Sequence, residues 1–531
     1  MIGCKLDGIG IDPTIRSSFI LLLISAPVLA AGIGLWSMSS GIGVSPDSVI
    51  YISAANSIIA GQGLNSLAPH SFPRVTSGNP LTIVPPTYPL LLAFSGLFGG
   101  NKLNSLRWLH SLLFAVNVFL VGISVYLATA RSVPASLCSM LLFLTSPNML
   151  EIHTMAWSEP PFILFALCAF LLLALHIKKP NNSFLVGSAL SAGLALTTRY
   201  VGIALLPPMV MTVLLLEDKQ LRGRIKDCLI LLGTGVFPLA LWLLRDTVVA
   251  HSSANRSIAF HPIGISQIEE LIYSMLAFSV PLPVNFYLGT VLLFLFGCLV
   301  LAGVLLVLRH NISRGQKRDP NLAAQIFAVT YVITYLLLLF VSISLIDART
   351  PLDTRILSPV YVFGIILVIS VAHKISVLTN TRTLWRGFLA LSIALISVNT
   401  WQAVSFAYSR HADGIGYTSR AWMGSESINY IRSLPEAKII YSNGTDAVYF
   451  LTTRTVLPIP ARVDPSSGRH LADFELNMNS MCTDLMENGA VVVDLDYITW
   501  RWYLPSKEEL ESVYTLPTRV RLGDGTVYGL K

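Results

Sequence analysis

Charged residues are scarce in this chain. Only 12% of its 531 residues are Asp, Glu, Lys or Arg, whereas soluble domains carry about 25%. The deficit is uneven, because residues 405–531 hold 12 basic and 15 acidic side chains while the other 404 residues hold 24 and 14. The sequence therefore predicts an all-α polytopic membrane domain over residues 1–404, followed by a small water-soluble α/β domain over residues 405–531.

Several other signatures are missing as well. The six cysteines show no CxxC spacing and fall mostly inside apolar runs, which indicates neither a disulfide framework nor a zinc site. No GxxxxGK[ST] or GxGxxG pattern occurs on a strand–turn–helix, so we expect no nucleotide cofactor. The basic residues form short clusters between apolar runs, so the net charge of +7 does not indicate a nucleic-acid partner.

Long apolar runs predict about eleven spanning helices, since about 17–25 such residues cross a bilayer. The predicted spans are 18–38, 107–129, 133–150, 160–177, 183–198, 200–216, 228–249, 286–309, 322–346, 356–373 and 384–404. We interpret the first as a retained helix rather than a cleaved signal peptide. Two long loops, about 39–106 and 250–285, mix apolar residues with Pro and Gly, as interfacial helices and turns do.

Lys and Arg fall in alternate loops and so predict the orientation. The basic loops contain Arg131, Lys178, Lys179, Lys219, Arg222, Arg224, Lys226, Arg309, Arg314, Lys317, Arg318, Lys374, Arg382 and Arg386. The positive-inside rule places these loops and the N-terminus in the cytoplasm of a cell (inner or plasma) membrane. The two long loops and the C-terminal domain then lie outside, where we expect the chemistry.

The acidic residues of the outer face are few. They are Asp47, Glu151, Glu159, Asp246, Glu269, Glu270, Asp347 and Asp353. Asp47 follows Ser45 and Pro46, a pattern typical of a helix start, and Tyr51 lies one turn later on the same face. Asp47 either complements the helix dipole or acts as an acid–base group.

Glu159 lies at the outer mouth of a span, where an unpaired carboxylate is costly. It is either a first-turn residue beside Pro160 or a functional group. Glu151 and His153 precede it on the chain; such a pair is either ordinary surface or can bind a divalent metal or share a proton.

Arg199 and Arg355 occupy comparable places at the outer ends of spans. An arginine at this depth either extends its charged end to the interface or binds a phosphate group.

Taken together, these segments resemble the C-type (GT-C) membrane glycosyltransferases. The bacterial branch of dolichyl-phosphate-mannose mannosyltransferase-like and aminoarabinose-transferase-like enzymes is the most similar. The resemblance covers about residues 18–370. It rests on Pro46-Asp47-Ser48 with Tyr51, Ala55 and Gly61-Gln62-Gly63, on Pro85-Pro86-Thr87-Tyr88-Pro89, on Arg107, on Ala156-Trp157-Ser158-Glu159-Pro160, on Leu196-Thr197-Thr198-Arg199-Tyr200, and on Asp353-Thr354-Arg355 with Pro359.

The resemblance implies a hexosyl- or pentosyltransferase. Such an enzyme moves a sugar from a polyprenyl-phosphate donor to a lipid, glycan or protein acceptor on the outer face, in contact with membrane lipid. Asp47 would be the general base or part of a metal site, with Glu159 beside it in the catalytic centre. Arg199 and Arg355 would bind the donor phosphate.

The same resemblance assigns substrate contacts to Tyr51, Tyr88, His153 and Trp157, with Tyr88 or Trp157 stacking on a sugar ring. Some members carry two adjacent acidic residues in the first loop, whereas Ser48 follows Asp47 here. A metal site would therefore need Glu151, His153 or Glu159 to complete it, and the need for a divalent metal stays open.

Two other functions fit a polytopic chain. A lipid or sugar transporter predicts an internal repeat and mid-membrane charges, and the sequence has neither clearly. A polysaccharide polymerase or ligase concentrates basic residues in a large late outer loop, whereas the candidate acid here lies in the first loop.

Overall fold

The computed structural model describes residues 13–66, 79–97, 102–250, 260–279, 285–313, 319–348, 350–465 and 467–529. Its first part is helical. The helices are α1 (Pro13–Ser37), α2 (Pro46–Ile59), α3 (Thr87–Gly96), α4 (Lys102–Ala128), α5 (Val133–Leu144), α6 (Pro147–Thr154), α7 (Glu159–Lys178), α8 (Asn182–Thr198), the 3-10 helix Tyr200–Leu205, α9 (Leu206–Leu216), α10 (Leu221–Ala250), α11 (Ile265–Ser279), α12 (Phe286–Ser313), α13 (Pro320–Leu345), α14 (Thr354–Leu378) and α15 (Arg382–Asp413).

Helices cover all eleven predicted spans, but the number of crossings stays a prediction. Seven of the described helices are long and apolar enough to cross a membrane. The count becomes eight if α5 and α6, bent by 60° at Thr145-Ser146, form one span. The segments Leu23–Ser37 and Tyr200–Leu216 are apolar but shorter. The membrane character and the mostly helical fold are confirmed.

Proline and glycine set several helix boundaries. α7 begins at Glu159, which Pro160 and Pro161 follow. Proline is tolerated in the first turn of a helix, because the N–H groups there have no acceptor within the helix. α8 ends where Arg199 takes an extended conformation, with φ −148° and ψ 131°. The 3-10 helix then folds back against α8, and only glycine fits at 202, because a Cβ there would lie 2.9 Å from the carbonyl oxygen of Ala195. Arg199 is thereby held at a sharp turn.

The long loop between α1 and α4 contains two helices, as the sequence predicts for an interfacial segment. α2 packs against α3, and a two-residue antiparallel ladder, β1 (Asn65–Ser66) with β2 (Asn79–Pro80), lies between them in the chain. Thr87 of α3 donates a hydrogen bond to Thr197 of α8 at 2.7 Å, which ties this loop to the membrane helices. Residues 67–78 lie outside the described residues.

The C-terminal part is a small α/β domain, as predicted. Its helices are α16 (Arg420–Met423), α17 (Glu426–Ser433), α18 (Thr445–Thr452), α19 (Phe474–Glu487) and α20 (Lys507–Ser512). Its strands are β3 (Ile440–Ser442), β4 (Leu457–Pro458), β5 (Val491–Leu495), β6 (Thr518–Leu522) and β7 (Gly525–Tyr528), in the order β4-β3-β5-β7-β6. β3 is parallel to β4 and β5, whereas β7 is antiparallel to β5 and β6. The preceding helix α15 continues beyond residue 404 to Asp413.

The two parts are joined through the segment that leads into α2. Val44 and Gly416 form a parallel bridge, and the N–H of Tyr417 donates to the carbonyl oxygen of Val44 at 2.8 Å. Val44 and Val49 belong to the same apolar cluster as Trp422 and other core residues of the C-terminal domain. The helix that carries Asp47 is therefore packed into that domain.

Candidate active site

Four charged side chains meet at one end of the helix bundle. They come from the first turns of three helices and from one turn: Asp47 of α2, Glu159 of α7, Arg355 of α14, and Arg199 between α8 and the 3-10 helix. All four were proposed as site residues from the sequence and its resemblance, and the structure places them in direct contact with one another.

Glu159 lies at the centre of this group. Its side chain is only 1% exposed, and its Oε1 atom accepts hydrogen bonds from Arg199 Nη1 and from Arg355 Nε, the latter at 2.6 Å. Its Oε2 atom has no hydrogen-bond partner among the described residues. A buried carboxylate between two guanidinium groups is stabilised by charge, and it fixes the position of both arginines.

Arg355 connects the buried Glu159 to the open part of the site. Its Nη1 atom lies 2.8 Å from Asp47 Oδ2, and the Asp47 side chain is 47% exposed. The guanidinium carbon lies 4.4 Å from the centre of the Trp157 ring, a cation–π contact. Trp157 is fixed in turn, because its Nε1 donates to Ser45 Oγ at 2.8 Å. Trp157 therefore packs against an arginine in this state.

Tyr51 and Ser158 extend the group on the other side. Arg199 Nη1 donates to Ser158 Oγ at 3.1 Å, and the hydroxyl groups of Ser158 and Tyr51 lie 3.2 Å apart. Burial, and secondly the negative charge of Asp47, raise the pKa of Tyr51 to about 12. The Tyr51 hydroxyl therefore keeps its proton at neutral pH and acts as a neutral hydrogen-bonding group.

Tyr88 lies behind Tyr51 and is fully buried. The two rings pack edge to face with centroids 4.8 Å apart, and the Tyr88 hydroxyl lies 2.8 Å from His110 Nε2. Burial raises the pKa of the Tyr88 hydroxyl well above its usual value. In this state Tyr88 supports Tyr51 from within the protein.

His153 and Glu151 do not join the charged group. His153 is buried in the core; its Nδ1 lies 2.7 Å from the carbonyl oxygen of Met149, and its Nε2 lies 3.1 Å from Asn117 Nδ2. Both ring nitrogens therefore have protein partners. Glu151 is half-buried and lies near enough to Arg410 for their charges to interact.

Within the described residues, the side chains proposed for a metal do not converge on one point. One group of metal-ligand type is found there, formed by His176, Glu217 and Asp227. It lies at the opposite end of α7 from Glu159, and Lys219 contacts both of its carboxylates.

Ser158 and His110 are the members of this site that the sequence interpretation did not single out. Ser158 precedes the candidate residue Glu159 directly in the chain, and this adjacency could have identified it. His110 is a histidine inside the apolar helix α4, and such a residue needs a polar partner. That partner became visible only in three dimensions.

Comparisons with known proteins agree with this architecture. The family model of dolichyl-phosphate-mannose-protein mannosyltransferase matches residues 84–243. The structure of ArnT from Cupriavidus metallidurans bound to undecaprenyl phosphate has a TM-score of 0.56 at 14% identity, covering 96% of this chain and 98% of that one. The Archaeoglobus fulgidus oligosaccharyltransferase tethered with an acceptor peptide has a TM-score of 0.51 at 12% identity, covering 93% and 70%.

A search of curated proteins finds no significant match. The chain has the fold of the C-type (GT-C) membrane glycosyltransferases, and the resemblance predicted from its sequence is confirmed. It is a multi-pass membrane protein of this fold with a C-terminal α/β domain.

Proposed function

We propose that this protein is a glycosyltransferase that moves a sugar from a polyprenyl-phosphate donor to a lipid, glycan or protein acceptor. The observation that carries the proposal is the ion-pair group in which Arg355 links the exposed Asp47 to the buried Glu159. Two arginines beside an accessible carboxylate are what the transfer of a sugar from a phosphate needs.

The arginines would serve the leaving group. In the reaction, the acceptor oxygen bonds to the anomeric carbon, the bond from that carbon to the phosphate oxygen breaks, and the lipid phosphate leaves with an additional negative charge. Arg199 and Arg355 stabilise this charge. Glu159 acts as a positioning residue, because it orients both guanidinium groups and is itself buried.

Asp47 would serve the acceptor. Its carboxylate pairs with Arg355 at 2.8 Å in this state. A donor phosphate that binds Arg355 competes for the guanidinium and releases the carboxylate, which then accepts the proton of the acceptor hydroxyl. Trp157 and Tyr51 border the place where the sugar would lie, and Trp157 supplies the aromatic face for it.

The side of the membrane is part of the proposal. The distribution of Lys and Arg favours an outer location for the site and the C-terminal domain. A lipid acceptor or a polymer acceptor would then reach Asp47 from the outer leaflet or the space beyond it. The sugar would be a hexose or a pentose.

The experiment uses the purified full chain in nanodiscs with a panel of radiolabelled polyprenyl-phosphate hexoses and pentoses. Turnover, including slow hydrolysis, and donor binding are measured separately. We expect Asp47→Asn to bind the donor but to lose turnover about 100-fold or more. Arg199→Ala should weaken donor binding about tenfold or more.

Glu436→Gln is the matched control, because it neutralises an exposed carboxylate of the C-terminal domain and should change neither quantity. Unchanged turnover in Asp47→Asn would remove this residue from catalysis. Binding of a donor with no turnover by the wild type, with every acceptor class supplied, would contradict the transferase and favour a transporter.

A further inference from the structure

A cavity of about 370 Å³ lies at the joint between α15 and the C-terminal domain. The last residues of α15 and the segment through Trp422 line it, and the segment includes Gly416, which pairs with Val44. Asp47 follows Val44 by three residues. It lies near enough to Tyr417, the neighbour of Gly416, for its negative charge to act on the Tyr417 hydroxyl. The cavity is therefore connected to the candidate active site through the pairing of Gly416 with Val44.

Two arginines contribute positive charge to the lining of the cavity. Arg410 and Arg420 both line it, and the carboxylate in its lining is that of Asp413. Neither arginine forms an ion pair within 4.0 Å with any described residue. Arg410 Nε is buried and has no hydrogen-bond partner among the residues that the structure describes. A buried guanidinium N–H without an acceptor is costly, so a ligand that supplies an anionic oxygen would be stabilised.

The Arg410 side chain is held in place before any ligand binds. Its guanidinium carbon lies 4.6 Å from the centre of the Phe406 ring. The adjacent His411 stacks on Trp36 of α1 with ring centroids 4.5 Å apart, and its Nδ1 lies 2.9 Å from the Trp36 carbonyl oxygen. The end of α15 is thus anchored to α1. Arg410 also lies near enough to the half-buried Glu151 for their charges to interact.

The position along α15 indicates which molecules reach the cavity. α15 is one of the candidate spans, and Trp401, Val404 and Tyr408 on its outer part are exposed. Such a surface faces lipid tails, with the aromatic rings near the interface. Arg410 and Arg420 then lie at the level of the lipid head groups, and Met423 beside them is also exposed.

The geometry points to a binding site for the anionic head group of a membrane lipid, held by Arg410 and Arg420. The phosphate of the head group accepts hydrogen bonds from both guanidinium groups, while the acyl chains stay in the bilayer along α15. Binding there stabilises the joint that holds α2 against the C-terminal domain. This assignment does not rest on the glycosyltransferase activity proposed above.

The test measures the melting temperature of the full chain in detergent while dioctanoyl phosphatidic acid is titrated. The wild type should be stabilised in a saturable way, and dioctanoyl phosphatidylcholine should give no such shift. Arg420→Gln should weaken the apparent affinity about tenfold, the loss expected for one charge-assisted hydrogen bond. Arg410→Gln should weaken it at least as much.

Arg469→Gln is the matched control, because it removes an exposed arginine from the same domain and should leave the affinity unchanged. If Arg410→Gln does not fold, the variants Arg420→Gln and Arg420→Glu still test the site, because Arg420 is exposed. Equal affinities in the wild type and both Arg420 variants would overturn the site. Stabilisation by inorganic phosphate equal to that by phosphatidic acid would overturn the lipid as its ligand.

Discussion

Arg355 Nη1 lies 2.8 Å from Asp47 Oδ2, so the one half-exposed carboxylate of the charged group is paired with an arginine that also binds Glu159. This relationship makes Arg355 a connector with two separate contacts. A guanidinium can make both at once, because its N–H groups point in fixed and different directions.

Arg355→Lys tests that geometry. Lysine keeps the positive charge but has a single ammonium group on a flexible chain, so it cannot hold Glu159 and Asp47 together with the ring contact to Trp157. We expect kcat/KM for sugar transfer to fall about 10- to 100-fold, a loss of about 1.4–2.8 kcal/mol of transition-state stabilisation. Steady-state kinetics with the donor identified in the panel measures this.

Arg454→Lys is the control for that experiment. Arg454 binds backbone carbonyl groups within the C-terminal domain, including those of Ile431 and Leu434, away from the charged group. Kinetics unchanged in both variants would mean that charge alone suffices at position 355.

Tyr88→Phe separates a supporting role from direct contact with sugar. Because Tyr88 is buried and pairs with His110, loss of its hydroxyl should lower the stability by about 1–3 kcal/mol. His110→Phe should cost a similar amount, and the double variant less than the sum of the two, as expected for partners in one hydrogen bond. Thermal unfolding of the four proteins measures the coupling. A raised KM for donor or acceptor at unchanged stability would instead assign Tyr88 to substrate binding.

Gly416→Ala tests the joint between the two parts of the chain. Gly416 has φ +61°, and a Cβ there would meet the carbonyl oxygen of Val44 at 2.1 Å. The substitution should therefore break the Val44 pairing and shift α2, so that turnover falls while donor binding persists. Parallel turnover and donor-binding assays in nanodiscs check both halves of this expectation.

Gly468→Ala is the matched control, because Gly468 has φ +65° with no atom within 4 Å of an added Cβ. It should cost only the backbone strain of about 1–2 kcal/mol. Equal loss of turnover in both variants would show that strain rather than the joint is responsible.

Asp494→Asn should change how stability depends on pH. Burial raises the pKa of Asp494 to about 6 from a usual value of 3.8. The folded state therefore holds the proton more tightly than the unfolded state, so stability is lost as pH rises between about 4 and 6. Asparagine removes this loss, and we expect a gain above pH 6 of up to about 3 kcal/mol that disappears near pH 4.

Melting curves of both proteins across this range provide the measurement. Asp496→Asn is the comparison, since Asp496 is nearly half exposed and contacts the same Lys507. A gain for Asp494→Asn that is the same at every pH would contradict the assignment to this carboxyl group.

Local features of the sequence determined much of the fold. Apolar runs predicted the helices, and Ser45-Pro46 predicted the start of α2. These features depend only on residues that are close in the chain or on the apolar surroundings of one helix. They can therefore be predicted from the sequence alone.

The candidate site was only partly predictable. The sequence singled out Asp47, Glu159, Arg199 and Arg355 as charges at helix ends, because an ionisable side chain near hydrocarbon needs a reason to be there. It did not determine that Glu159 and Arg355, 196 residues apart, share a hydrogen bond. Nor did it determine that Tyr88 faces His110, or that His153 points into the core.

The sequence by itself thus determined the class of protein, the helices and the residues worth considering. The tertiary structure decided which charges pair, which aromatic rings are buried, and that the C-terminal domain packs on α2. The physical reason is that pairing and burial depend on which helix faces meet, and these contacts join segments far apart in the chain.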